Sequence, residues 1–265
     1  MSLDLDERQR AMLAEMNIRV WWPRTPAPVV APEPIAIKQE LVRSRDLKTS
    51  ENRATPALQP GSASIAQMDW DALQAAVAGC RACALCEHRQ RTVFGVGPAG
   101  ATPGQAPQVD WMVVGEAPGE NEDRQGEPFV GQAGKLLDNM LRAIGLERRS
   151  NVFIANVIKC RPPGNRNPEP GEVAQCAPYL HRQIELLAPK IILAMGRFAV
   201  NSLLQDTVPE VHKLPLGKLR GQVHRYRGVP VVVTYHPAYL LRNLPDKAKA
   251  WADLCLARET LGRAG

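Results

Sequence analysis

Long apolar runs and aromatic residues are both scarce in this chain of 265 residues. Phe, Trp and Tyr make up 5% of it, and no apolar run reaches the roughly eighteen residues of a membrane-spanning helix. The first residues, MSLDLDERQRAMLAEM, are charged and lack the apolar stretch of a secretory signal. The P-loop pattern GxxxxGK[ST] is absent. We therefore expect no membrane association, a cytoplasmic, bacterial-type protein, and no phosphate-binding loop of the P-loop class.

The remaining composition is that of an ordinary globular protein. Hydrophobic residues make up 45% and charged residues 23% of the chain. The net charge is +6 with a pI near 9.1, which permits a polyanionic partner. There are six cysteines, and in a chain without a secretory signal they are expected to be ligands or thiols rather than disulfides.

Composition divides the chain into three parts. Residues 1–23 contain a short helical pattern followed by Trp21 and Trp22, which favour either docking on the main domain or a short motif that binds a partner protein. Residues 24–66 are a flexible linker rich in Pro and Ala, expected to be disordered because they bury too little apolar area. Residues 67–265 are expected to form the folded domain.

The folded part alternates predicted strands with predicted helices. Four apolar runs are expected to be strands: WMVVG, NVFIANVIK, KIILAMG and VPVVVTYHP. Helical patterns separate them, as in GKLLDNMLRAIGL and PYLHRQIELLA. This alternation predicts an α/β fold, a three-layer α/β/α sandwich with a central, mostly parallel four-stranded sheet. Ligands of such sheets bind beyond the carboxyl ends of the strands.

Four cysteines form two widely separated pairs. Cys80 and Cys83 read C-x2-C, whereas Cys160 and Cys176 read C-x15-C. A zinc ribbon would place a second C-x-x-C where this chain has the wide gap, so the spacing favours an iron–sulfur cluster. A zinc-stabilised enzyme and scattered core thiols are the two alternatives.

Three of the predicted strands end in polar sequences. Glu116 follows the first strand within GEAPGE, Asn156 lies inside the second, and His236 follows the fourth. Taken alone, Asn156 and His236 are more typical of structure than of catalysis, whereas the Glu116 segment fits a tight turn with a capping acid as well as it fits a ligand site. Because parallel strands bring their carboxyl ends to one edge, the three side chains are expected to converge there. Phe129, in PFVG, adds an apolar plate nearby.

These motifs carry a resemblance to a known family. GEAPGE with PFVG, then N-x-x-KCRPP, then HPAYLLR, together with the four cysteines, resemble the family 4 uracil-DNA glycosylases over roughly residues 73–258. The resemblance implies a 4Fe–4S cluster on Cys80, Cys83, Cys160 and Cys176. It also implies an enzyme that flips uracil out of DNA and hydrolyses the N-glycosidic bond, leaving an abasic site in base excision repair.

The resemblance also implies the role of each site residue. The uracil-binding set is Gly115, Glu116, Ala117, Phe129, Asn156 and His236, of which Glu116 and His236 are the catalytic pair. The DNA-contact set is Tyr239, Leu240, Leu241 and Arg242, in which the two leucines are not distinguishable as the wedge that holds the duplex open.

The expected partner is uracil-containing DNA, single- or double-stranded, bound by a nucleoid-associated monomer. A DNA-binding iron–sulfur repair accessory protein with little or no excision activity is the alternative function.

Overall fold

The computed structural model describes residues 62–98 and 102–263. The predicted N-terminal segment 1–23 and most of the predicted linker lie outside these residues. Within the described ranges, no helix combines the length and apolarity needed to cross a membrane.

The domain alternates strands and helices in the predicted order. Its elements in chain order are α1 (Ser62–Ile65), α2 (Trp70–Ala78), α3 (Leu85–His88), β1 (Trp111–Gly115), α4 (Glu120–Gln125), α5 (Gln132–Ala143), β2 (Val152–Asn156), α6 (Pro170–Leu187), β3 (Ile191–Met195), α7 (Arg197–Leu204), α8 (Leu216–Leu219), β4 (Val223–Tyr226), β5 (Val229–Thr234), α9 (Pro237–Leu240) and α10 (Asp246–Gly262). Short 3-10 turns follow β2 and α7.

The described sheet has five strands in the order β2-β1-β3-β5-β4, against the four strands predicted. β1, β2, β3 and β5 pair in parallel, and β4 pairs antiparallel with β5. β4 escaped the sequence analysis because VHRY is short, charged and largely exposed. Arg227 and Gly228 join β4 to β5 with φ values of 46° and 91°, the two positive values typical of a type I′ hairpin turn.

Helices cover both faces of the sheet, which confirms the three-layer α/β/α prediction. Along β1, Met112 and Val114 pack with α6 and α7, whereas Trp111 and Val113 pack with α5 and α10. This alternation follows from the two-residue period of a strand. All five residues of β1 are buried, as expected for a strand of a covered parallel sheet.

The folded domain begins earlier than residue 67. Helix α1 lies within the predicted linker, and its Ile65 is buried against Leu73, Val77 and Tyr179. Helix α2 then begins after Asp69, whose side chain accepts a hydrogen bond from the Ala72 amide. A single buried isoleucine in a polar stretch was too weak a signal to place this boundary.

Candidate active site

The predicted convergence of polar residues occurs at the carboxyl edge of the sheet. Gly115, the last residue of β1, lies opposite Asn156, the last residue of β2. A cavity of about 730 Å³ opens beyond them. Its lining includes most of the predicted site residues and several others: Glu116, Ala117, Pro118, Gly119, Glu122, Phe129, Ala133, Asn156, Pro162, Asn165, Arg166, Asn167, Gly196, Arg197, Leu216, Gly217, Tyr235, His236, Ala238, Tyr239 and Arg242.

Asn156 carries a buried amide whose oxygen has no protein partner among the described residues. The residue is 1% exposed, and its Oδ1 makes no hydrogen bond there. A buried polar atom without a partner costs about 1–3 kcal/mol. The Asn156 amide is therefore positioned to bind a polar ligand in the cavity.

Phe129 places its ring beside Asn156 and His236. A Cβ added to Gly115 would lie 2.5 Å from Asn156 Oδ1 and 2.5 Å from Phe129 Cζ. Only a glycine leaves this space open. The ring centroids of Phe129 and His236 are 5.4 Å apart with an interplanar angle of 31°. A flat, narrow slot results, with an aromatic wall, an amide and an imidazole.

His236 is a neutral imidazole at physiological pH. Its burial, reinforced by the nearby Arg242 guanidinium, lowers its pKa to about 4. The backbone amide of Ala238 donates to His236 Nδ1 at 3.2 Å. Since Nδ1 accepts this bond, the single ring proton of the neutral form lies on Nε2, which is thereby a hydrogen-bond donor.

Glu116 lies half-buried at the end of β1, on the wall of the same cavity. Burial raises the pKa of its carboxyl above the ordinary value. Loss of hydration, rather than a specific charged neighbour, is thus the dominant influence on this carboxylate. Ala117 lines the cavity next to it.

The four predicted DNA-contact residues do not share one environment. Tyr239 and Arg242 line the cavity, and the Tyr239 hydroxyl donates to Asp246 Oδ2 at 2.6 Å. Leu240 is 1% exposed and packs in the core between α5 and α10. Leu241 is 42% exposed. The two leucines that the sequence left indistinguishable therefore face in different directions.

Several residues of the site were missed by sequence reasoning. Glu122 accepts hydrogen bonds from the amides of Gly119, Val130 and Gly131 and joins the two loops that follow β1. The capping pattern of Gly119 and Glu122 at the start of α4 was a weak signal for it. Arg197 and Tyr235 line the cavity from the ends of β3 and β5. No motif marked them.

The four predicted cysteine ligands line a single second cavity. Cys80 and Cys83 reach it from the loop after α2, Cys160 from the segment after β2, and Cys176 from α6. Cys86, which is not one of the four predicted ligands, lines the same cavity. The sixth cysteine, Cys255, lies on α10.

The donor chemistry of this cavity fits an iron–sulfur cluster. In residues 62–98 and 102–263, no group of three or more His, Cys, Asp or Glu side chains is arranged to hold a metal ion. A 4Fe–4S cubane takes one thiolate from each of four cysteines, and the four predicted ligands line this one cavity. The Arg89 guanidinium donates to Cys160 Sγ at 3.1 Å, and the Lys159 amide donates to Cys176 Sγ at 3.3 Å. Such donors suit sulfur atoms that carry negative charge.

Burial controls the protonation of these thiols in the protein alone. It raises the pKa of Cys83 and Cys160, and it raises the pKa of Cys176 to about 12. Ligation requires thiolates, so binding of a cluster is coupled to release of protons.

A buried lysine lies between the two cavities. Lys159 is 1% exposed, and its Nζ donates to the Asn156 carbonyl at 2.9 Å and to Gln183 Oε1 at 2.6 Å. Burial lowers the pKa of Lys159 to about 8. Gln183 in turn donates from Nε2 to the Phe94 carbonyl at 3.0 Å. This network fixes the backbone of the residue whose side chain reaches into the first cavity.

Comparison with known proteins defines the class to which this fold and site belong. Residues 103–255 match the family model described as the uracil DNA glycosylase superfamily. The chain therefore belongs to that superfamily, and the α/β fold described above is in keeping with it.

Individual relatives narrow the assignment to one branch. A type-4 uracil-DNA glycosylase of Sulfurisphaera tokodaii is 44% identical over 170 residues, which cover 63% of this chain and 73% of the relative. A type-4 enzyme of Saccharolobus solfataricus is 40% identical over 69% of this chain and 82% of its own length. A type-4 enzyme of Archaeoglobus fulgidus is 41% identical over 62% of this chain and 79% of its own length. Within the superfamily, the chain is a member of the type-4 family, as its motifs had indicated.

Proposed function

We propose that this protein is a uracil-DNA glycosylase that hydrolyses the N-glycosidic bond of deoxyuridine in DNA and leaves an abasic site. The observation that carries the proposal is the unpartnered Oδ1 of Asn156, buried in a slot with Phe129 and His236. Membership of the type-4 family supports the same activity.

Asn156 selects the base. Its amide offers an acceptor for uracil N3–H and a donor for uracil O4 in one plane. Cytosine presents the reverse pattern at these atoms and would leave buried groups unpaired. Mismatches of this kind supply discrimination on the order of ten-thousandfold.

Phe129 stacks on the flipped base. A base–aromatic stack contributes roughly 1–3 kcal/mol. The side chain of any residue larger than glycine at position 115 would intrude between Phe129 and Asn156. Gly115 thus keeps the base slot open, and Ala117 lines the cavity beside it.

His236 stabilises the leaving group. Uracil departs as an anion while the sugar becomes cationic, so charge develops on uracil O2 only as the bond breaks. A neutral imidazole with its proton on Nε2 donates to O2 without bringing a full positive charge into the slot. Interactions that strengthen in the transition state accelerate the reaction.

Glu116 orients the attacking water and favours the cationic sugar electrostatically. Its half-buried carboxylate lies on the wall of the cavity that holds Asn156 and His236. A group of this kind within hydrogen-bond reach of water contributes typically 10²–10⁴-fold as a general base.

Arg242, Tyr239 and Leu241 contact DNA around the extruded nucleotide. Arg242 is exposed at the rim and suits a phosphate contact. Leu241 is the exposed leucine of the pair, so we assign the wedge to it, and Leu240 to the core.

Cys80, Cys83, Cys160 and Cys176 hold a 4Fe–4S cluster in this proposal. The cluster supplies a structural cross-link among the loop after α2, the segment after β2 and α6. The base-excision chemistry is carried out by Glu116, Asn156 and His236. A brown protein with broad absorption near 400 nm that bleaches in Cys160→Ser would support this assignment. A colourless protein carrying zinc would contradict it.

The activity is tested by single-turnover excision on oligonucleotides that contain U, hypoxanthine, T or C. Formation of an abasic site is expected for U, with Asn156→Ala and His236→Ala losing at least a hundredfold in rate, the lower end for removal of a transition-state contact. Retained DNA binding without excision in the wild-type protein would instead support an accessory role.

A further inference from the structure

The backbone of Phe129 adopts a conformation that large side chains rarely occupy. Its φ is 55°, in the left-handed region. Glycine visits this region freely, but an aromatic residue there is strained and persists only where its surroundings hold it. Strain of this kind at a residue on the wall of a binding cavity calls for a structural cause.

Arg148 holds the carbonyl groups of the two peptides that flank this strained residue. Its Nη1 donates to the Pro128 carbonyl and its Nη2 to the Phe129 carbonyl, both at 2.7 Å. Its Nε donates to Asp138 Oδ1 at 2.9 Å, on helix α5. All three nitrogens of the guanidinium thus donate hydrogen bonds within the protein. The Arg148 side chain is 16% exposed.

Two other features hold the peptide groups that follow. Glu122 Oε1 accepts hydrogen bonds from the amides of Val130 at 2.9 Å and Gly131 at 3.1 Å. Gly134 allows the first turn of α5 to approach the same loop, because a Cβ there would lie 1.7 Å from the Phe129 carbonyl oxygen. The peptides on both sides of Phe129 are therefore fixed.

We infer that Arg148 is a positioning residue that keeps the Phe129 ring against Gly115 and His236 by holding its backbone in the left-handed conformation. The inference rests on the proposed role of Phe129 as the plate that stacks on uracil. Without the two carbonyl contacts, Phe129 relaxes toward an extended backbone, and its ring leaves the position beside His236. The basic side chain of Arg148 therefore positions Phe129 in the base slot and does not contact DNA phosphate.

The test compares Arg148→Met with a matched control. Arg142→Met removes an exposed arginine of the neighbouring helix α5, whose Nη1 bonds only to Asn139 Oδ1 among the contacts described. Single-turnover excision of uracil from a single-stranded oligonucleotide is expected to fall about 10- to 100-fold in Arg148→Met, in line with the cost of misplacing a binding group by about 1 Å. Inhibition by free uracil should weaken in parallel, and Arg142→Met should behave as wild type.

Two readouts separate positioning from a DNA contact. Affinity for uracil-free DNA and its salt dependence should be unchanged in Arg148→Met, whereas loss of a phosphate contact would weaken binding of every sequence and reduce the salt slope by about one. Weaker binding of uracil-free DNA with a smaller slope would overturn the inference.

A double-mutant cycle shows whether Arg148 acts through Phe129. In a Phe129→Ala background, Arg148→Met should slow excision by less than about twofold, because residues in contact are not additive. Full additivity would overturn the inference. A wild-type rate for Phe129→Ala alone would instead refute the proposed stacking role, so the two failures are distinguishable.

If Arg148→Met does not fold, Arg148→Lys takes its place. A lysine supplies a point charge but not the planar guanidinium that bonds both carbonyls. A wild-type excision rate together with wild-type inhibition by uracil in Arg148→Lys would contradict the inference.

Discussion

Replacing Gly115 by Ala is the most direct perturbation of the base slot. Gly115 ends β1 with a backbone conformation outside the left-handed region, so an alanine is compatible with its main chain. The new methyl group would project between Asn156 and Phe129, at 2.5 Å from an atom of each. The substitution therefore acts on the slot and leaves the chemistry of Glu116 and His236 intact.

The size of the effect follows from these distances. Carbon atoms pack at about 3.5–4.0 Å, so the Phe129 ring must move by about 1 Å, and Asn156 Oδ1 by a similar amount. Misplacement by about 1 Å is enough to cost about a hundredfold in rate, which corresponds to roughly 2.7 kcal/mol of transition-state stabilisation. The loss is expected in the single-turnover rate and in inhibition by free uracil, since both depend on the slot.

Gly171→Ala is the matched control. Gly171 lies in the first turn of α6, outside the left-handed region, and a Cβ there would meet nothing within 4 Å. Excision by this variant should equal that of wild type. If Gly115→Ala also excises uracil at the wild-type rate while remaining folded, Phe129 and Asn156 do not bound the base, and the proposed slot is wrong.

Four further outcomes are expected. Leu241→Ala should slow excision from duplex DNA about tenfold but leave excision from single-stranded DNA unaffected. A tenfold loss corresponds to ~1.4 kcal/mol of the few kcal/mol that unstacking costs. Equal losses on both substrates would refute the role of Leu241 as the wedge. Leu240→Ala should instead lower the free energy of unfolding by about 2–5 kcal/mol in denaturant titrations, because it leaves a cavity in the core. An NMR titration of His236 should give a pKa of about 4 in the folded protein. In the unfolded chain the same imidazole is protonated already below about pH 6.5. The contribution of neutral His236 to the free energy of unfolding is therefore complete above about pH 6.5 and declines as the pH falls toward about 4. Lys159→Met should leave the Asn156 carbonyl and Gln183 Oε1 without their donor, at about 1–3 kcal/mol each, and slow excision while the cysteines still bind iron; an unchanged rate would show that Asn156 needs no such support.

The convergence of the site was predictable because it depends on topology alone. Parallel strands carry their carboxyl ends to one edge, so Glu116, Asn156 and His236 had to approach one another once the strands were recognised. The layering was predictable for a similar reason, since buried parallel strands need helices on both faces. Strand β4 was not, because a short exposed edge strand has no apolar pattern to reveal it.

Contacts between distant segments were also beyond sequence reasoning. The bond of Arg148 to a carbonyl twenty residues earlier depends on how α5 packs, and no periodic pattern records it. The same holds for Leu240 and Leu241, which are adjacent in a segment that is only one turn of helix long. Which of the two is buried depends on the position of α10, against which Leu240 packs.

One short stretch of backbone, residues 156–160, connects the cavity that holds Asn156 to the cysteine cavity. Beyond Asn156, the amides of Val157 and Ile158 donate to the carbonyls of Gly115 and Glu116 at 3.0 and 3.2 Å. The next residue, Lys159, donates its amide to Cys176 Sγ, and its carbonyl accepts from Val93 at 2.8 Å. Each peptide from Asn156 to the thiol cavity is therefore held by a hydrogen-bond partner. In the proposed function, this bonded segment would therefore connect the position of the cysteine ligands to that of the Asn156 amide.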